Sequence, residues 1–151
     1  MGRRRKAREV ALQVLFEIDV LKIDPKEAID LFWHNFEAPK EARNFSTRLI
    51  QGVQEKKQEI DGLIESFSDN WALARMSRVD RNILRLAVYE FLYCIDVPPK
   101  VTLNEAIDLG KEFGTENSGS FINGILDALN ARLQKEDGYK NRNNSGGQPE
   151  S

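Results

Sequence analysis

The sequence predicts an all-α fold, a compact bundle of about seven helices in two helical halves. Three observations carry this. Apolar residues recur at three- and four-residue spacing through most of the chain, the period of one helix face. Capping residues and prolines punctuate those runs at helix-like lengths. No run alternates with the period of a strand, no turn joins β-rich runs, and no repeat has a fixed period.

The first helix is expected from Arg3 to Leu21, with Ala7, Val10, Ala11, Val14, Leu15 and Ile18 on one face. Asp24-Pro25-Lys26-Glu27 opens the second: Asp24 caps it, Pro25 suits the first turn, and Glu27 completes a capping-box pattern. This helix carries Ala28, Leu31 and Phe32 and ends before Pro39. From Glu41 to Phe67 the apolar phase slips near Gln54–Glu59, which predicts two helices or one bent helix, with Gly52 and Gly62 permitting close approach. Met76 to Ile95 form the next helix, built on Val79, Ile83, Leu86, Ala87 and Phe91 and ended by Asp96-Val97-Pro98-Pro99. Thr102-Leu103-Asn104-Glu105 reads as a capping box opening a further helix, which Gly114 closes. Ser118 or Ser120 is expected to cap the last helix, with Phe121, Ile122, Ile125, Leu129 and Leu133 inward. Residues 1–134 are thus read as one helical domain, and 135–151 as a disordered polar tail.

Composition fits an ordinary globular chain: 151 residues, 40% hydrophobic, 30% charged. A net charge of −2 means that nucleic-acid binding must rest on where the charges lie. The single cysteine, Cys94, sits in an apolar run, which excludes a disulfide framework within the chain and a cysteine zinc site. No stretch approaches the ~20 apolar residues of a membrane span. Nor is there an apolar run of signal-peptide type, so a cytoplasmic protein is expected.

Arg3, Arg4, Arg5, Lys6 and Arg8 place five positive charges within six positions at the start of a helix. The helix dipole disfavours cations there, so the cluster suggests a partner, with phosphate the obvious one. A solvated, frayed terminus is the plainer explanation. Phe16 lies off the best apolar stripe, so it is either a base-stacking residue beside the basic patch or part of a wide core face. Asn117-Ser118-Gly119-Ser120-Phe121 is either a phosphate-accepting helix start or plain capping. Arg78, Asp80, Arg81, Arg85 and Glu90 read as a paired or solvated face, or else as a protein-partner surface. Catalytic constellations are missing: His34 is the only histidine and has no spaced metal partners, and the glycines form no phosphate cradle. Trp33 and Trp71 read as packing residues. No cofactor is expected.

Three stretches resemble the NusB family of bacterial transcription antitermination factors: Arg4 to Leu15, Val79 to Glu90, and Asn104 to Leu109 followed by Phe121 to Asp127. The likeness covers about residues 3 to 133. It implies an all-helical protein that binds a single-stranded boxA element of ribosomal RNA leaders together with NusE, a small-subunit ribosomal protein, and so joins elongating RNA polymerase. It implies RNA contacts at Arg4, Arg5, Lys6 and Arg8, with Phe16 and the turn of Asn117, Ser118 and Phe121 near the RNA and Asp80 facing NusE; Arg3, of the same basic cluster, is counted with the RNA contacts and Arg81 with the NusE surface. Phe16 stands where a tyrosine can occur in relatives, and Asn117 where some carry an acid. The expectation is a non-enzymatic factor, monomeric or homodimeric when free, in which alanine at Arg4, Arg5 and Arg8 weakens RNA binding while the fold survives. The alternatives are a helical protein-interaction module or an accessory domain of an rRNA methyltransferase system.

Overall fold

Sequence-local signals set most of the helix boundaries seen in the structure, a computed structural model that describes residues 2–68 and 72–136. The described residues form seven α-helices: α1 (Gly2–Leu21), α2 (Pro25–Asn35), α3 (Lys40–Glu55), α4 (Lys57–Ser66), α5 (Arg78–Tyr93), α6 (Pro99–Phe113) and α7 (Ser118–Gln134). A 3-10 turn, Leu73–Arg75, precedes α5, and there is no strand among the described residues. The Asp24 carboxylate accepts from the Glu27 N–H, and Pro25 begins α2. Ser77 caps α5 by accepting from the Asp80 N–H at 3.0 Å. The phase slip is a break: Lys56 (φ −106°, ψ 18°) separates α3 from α4.

Four expectations are corrected. α6 begins at Pro99, three residues before the supposed capping box, because proline suits the first helical position. The Thr102 hydroxyl is therefore inside the helix, where it donates to the buried Glu90 carboxylate at 2.8 Å. Neither Ser118 nor Ser120 caps α7. Asn117 occupies that position, Ser118 Oγ accepts from the Thr115 N–H, and Ser120 donates to the Asn117 carbonyl. Gly114 does end α6, but at φ −98° it needs no left-handed backbone; a Cβ there would collide with Ser118. Close helix approach occurs at Gly52, where a Cβ would strike the Tyr89 ring, and not at Gly62, which faces open space. Trp71 and most of the expected tail, residues 137–151, lie outside the described residues.

α1 packs on α2, α3 and α5, while α5 also packs on α3, α4, α6 and α7. The α1–α5 seam therefore joins the two ends of the chain. The core around it includes Leu15, Leu49, Ile83, Leu84, Phe91 and Leu126, each fully buried. Full burial of such a side chain contributes about 1.5–3 kcal/mol. The seam also holds two buried charged clusters. Arg8 of α1 meets Glu90 of α5, and Asp19 of α1 meets Arg81 of α5. The two pairings run in opposite chain directions, so they fix α1 antiparallel to α5.

Candidate nucleic-acid interface

The basic cluster of α1 is matched by carboxylates from other elements. Arg3 Nη1 donates to Glu41 of α3 at 2.8 Å, and Arg4 Nη2 to Asp96 of the α5–α6 connection at 3.0 Å. Arg5 Nη2 reaches both Glu105 and Asp108 of α6, at 3.0 and 2.9 Å. These hydrogen bonds, Glu105 first, raise the Arg5 pKa above its ordinary value. Arg4 also lies over the Phe45 ring at 4.0 Å. Lys6 forms no ion pair among the described residues. The exposed pairs are weak, because water and salt screen them. A phosphate oxygen offers the same guanidinium groups an equivalent acceptor, so the pairs are exchangeable.

Arg8 is different. Its Nε and Nη2 fork onto the two Glu90 oxygens at 2.8 and 2.9 Å. The two side chains are only 6% and 2% exposed. Burial alone would lower the Arg8 pKa, but the Glu90 carboxylate outweighs it and holds the guanidinium charged. The structure thus separates Arg8 from Arg3, Arg4, Arg5 and Lys6.

Beside Lys6, α1 borders a groove of about 520 Å³ lined by Gln13, Phe16, Phe32, Trp33, Phe36 and Phe113, among others. Phe16 is 37% exposed here, off the buried stripe of α1. Phe36 stacks on Phe32 at 4.5 Å, and Trp33 meets Phe32 edge-on at 5.0 Å. Exposed aromatic faces beside an unpaired ammonium suit an unpaired base. Sequence reasoning found Phe16 but missed Trp33, Phe36 and Phe113. The available signal was the aromatic density of Phe32-Trp33-His34-Asn35-Phe36, more than a short helix needs for its core.

Asn117, Ser118 and Phe121 do not line this groove, although Phe113 at the end of α6 does. Asn117 is exposed, Phe121 is half-buried, and Ser118 is buried with its hydroxyl bound at Thr115. Arg81 turns inward onto Asp19, with both bonds at 2.8 Å. Asp80, one residue earlier, is half-buried, and its Oδ1 accepts no hydrogen bond among the described residues. His34 is exposed and Cys94 buried. Among the described residues, no three His, Cys, Asp or Glu side chains gather to hold a metal.

Residues 5–131 match the model of the NusB family. The transcription antitermination protein NusB of Syntrophus aciditrophicus is 57% identical over 136 residues, 90% of this chain and 84% of that protein. Among solved structures, T. maritima NusB matches at a TM-score of 0.78 and 39% identity, covering 85% of this chain and 90% of that one. A structure of antitermination factors NusB and NusE in complex with dsRNA matches at a TM-score of 0.79 and 29% identity, covering 87% and 98%.

Proposed function

The chain belongs to the NusB family, and from that premise we propose that it is a transcription antitermination factor that binds a single-stranded boxA-type RNA together with NusE. The observation that carries this reading is the α1 terminus, where exchangeable arginines precede Lys6, which borders a groove lined by the exposed rings of Phe16, Phe36 and Phe113. Arg3, Arg4, Arg5 and Lys6 take phosphates, and Phe16 offers a base its ring. Arg8 acts from beneath, holding α1 in place through Glu90. Asn117 and Phe121 border the RNA at the α6–α7 turn, which the Ser118 hydroxyl shapes. Asp80 faces NusE, with Arg81 anchoring the start of α5. The protein works by binding and not as an enzyme. No described helix is long and apolar enough to cross a membrane, which fits work in the cytoplasm beside RNA polymerase.

The test is fluorescence anisotropy of labelled boxA-like, scrambled and double-stranded RNAs, with and without NusE. Selective binding of the boxA strand, strengthened by NusE, is expected. Replacing Arg3, Arg4 and Arg5 by alanine should flatten the logarithmic salt dependence by about 2, since a single strand loses roughly 0.7 per phosphate contact. Because the exposed pairs are worth little, the melting temperature should barely move. Asp80→Arg should weaken NusE binding more than RNA binding; unaltered NusE affinity removes Asp80 from that surface. Equal, weak binding to every RNA would instead favour a protein-interaction module, in which the carboxylate-paired arginines serve the fold alone.

A further inference from the structure

We propose that the groove between α2 and α3 is a second RNA subsite, which takes the phosphates of single-stranded nucleotides flanking the element held at α1. Lys40, Arg43, Asn44, Thr47 and Gln51 share one face of α3, spaced three or four residues apart, while Phe45, Leu49 and Val53 bury the other. Lys26 and Trp33 of α2 supply the opposite wall of a groove of about 510 Å³. Lys26, Lys40 and Arg43 form no ion pair among the described residues, in contrast to the arginines of α1. Asp30 is the one carboxylate lining the groove. The Arg43 guanidinium lies over the Trp33 ring at 5.2 Å. The Trp33 Nε1–H is buried and has no acceptor among the described residues, which is costly unless something else supplies one.

These groups suit a single strand: cations for phosphates, and amides and a hydroxyl for base edges. The groove also continues the first site. Asn44 lines both it and the adjoining hollow formed with Arg4, Glu41 and Arg48, and Arg3 is tied to Glu41 next to Lys40. A strand leaving the α1 arginines along α3 passes the exposed, exchangeable pairs of Arg3, Arg4 and Arg48 and then meets cations that form no ion pair among the described residues. A solvated helix face would explain the polar stripe alone. It would not explain why that face is walled into a groove by Lys26 and Trp33 of α2, with the Arg43 guanidinium over the Trp33 ring.

The inference rests on the RNA reading above, and the test separates the two. Anisotropy would compare a minimal boxA-like RNA with versions extended by a short uridine tract at either end. Three proteins are needed: the wild type, Lys26→Gln/Lys40→Gln/Arg43→Gln, and Lys22→Gln/Lys56→Gln/Lys57→Gln as a control of equal charge change. Circular dichroism would confirm that all three fold. For the wild type, one extension should tighten binding about tenfold at low salt, as a few phosphate contacts supply. The groove variant should lose that gain, with its salt dependence flatter by about 2 on the extended RNA. Its affinity for the minimal RNA should stay within about twofold, and the control should keep the gain. The subsite is overturned, with the α1 reading intact, if selective core binding gains from neither extension. It is also overturned if the groove variant keeps the gain, or if the control loses it equally. A wild type that does not prefer the boxA core over a scrambled strand brings down the α1 reading, and the subsite with it.

Discussion

Arg8→Ala should lower the stability of the fold by about 3–5 kcal/mol, whereas alanine at Arg3, Arg4 or Arg5 should barely change it. The difference is burial. Removing the Arg8 guanidinium leaves the Glu90 carboxylate deep in the α1–α5–α6 seam with the Thr102 hydroxyl as its remaining close donor. An uncompensated buried charge of this kind is among the largest single-residue penalties. Denaturant midpoints at neutral pH would measure it. Adding Glu90→Gln to Arg8→Ala should recover part of the loss, because the residual charge is what destabilises. RNA affinity of the Arg8 variant should then fall in step with its unfolded fraction. If Arg8→Ala keeps a wild-type midpoint and loses RNA binding, Arg8 contacts the RNA directly and the supporting role fails.

That contrast shows how much of the site was legible in the sequence. Most helices were readable because their signals are local: Asp24 before Pro25 and the slip that became Lys56. The helix expected from Met76 to Ile95 runs only from Arg78 to Tyr93, its start set by the Ser77 cap that the reading passed over. The start of α6 was misread because Thr102 and Glu105 have the spacing of a capping box, yet their side chains face carboxylate and guanidinium partners on α5 and α1. Within Arg3–Arg8 the letters alone look alike. Helical phase could have set Arg8 apart, since it shares a face with Ala11 and Leu15, both buried. The partners could not have been read. Glu41, Asp96 and Asp108 are 38, 92 and 103 residues from the arginines they meet, and only the packing of α1 brings them together. The aromatic groove was hidden for the same reason: Phe16, Trp33 and Phe113 lie on three helices.

Asp19→Asn should cost about 3 kcal/mol at neutral pH, near the low end of the range for a broken buried pair. Asp19 is 7% exposed and accepts from Arg81 Nε and Nη2, both at 2.8 Å, and from Asn82 Nδ2 at 3.0 Å. Arg85 Nη1 also donates to Asp19, at 3.4 Å, but the loss there is moderated because Arg85 keeps its fork on Asp61, at 2.8 and 3.1 Å. Arg81 would retain only the Leu73 carbonyl at 3.3 Å. Burial alone would raise the Asp19 pKa; the hydrogen bonds from Arg81 and Asn82 overcome it and hold the carboxyl well below the usual carboxylate range. A folded-state pKa below the unfolded value stabilises fully above the unfolded pKa, about 3.9, and that contribution falls as pH drops toward the folded value. The gap between wild type and variant should therefore be about 1 kcal/mol smaller at about pH 3 than at neutral pH. A constant gap would mean that Asp19 is not held charged by its partners. Asp19 fixes Arg81, and Arg81 follows Asp80 in the first turn of α5. The variant should accordingly weaken NusE binding while leaving the RNA salt dependence, which the proposal assigns to the far end of α1, unchanged. Loss of both together would mean that the α1–α5 seam moves as one body and that Asp19 positions the RNA end as well.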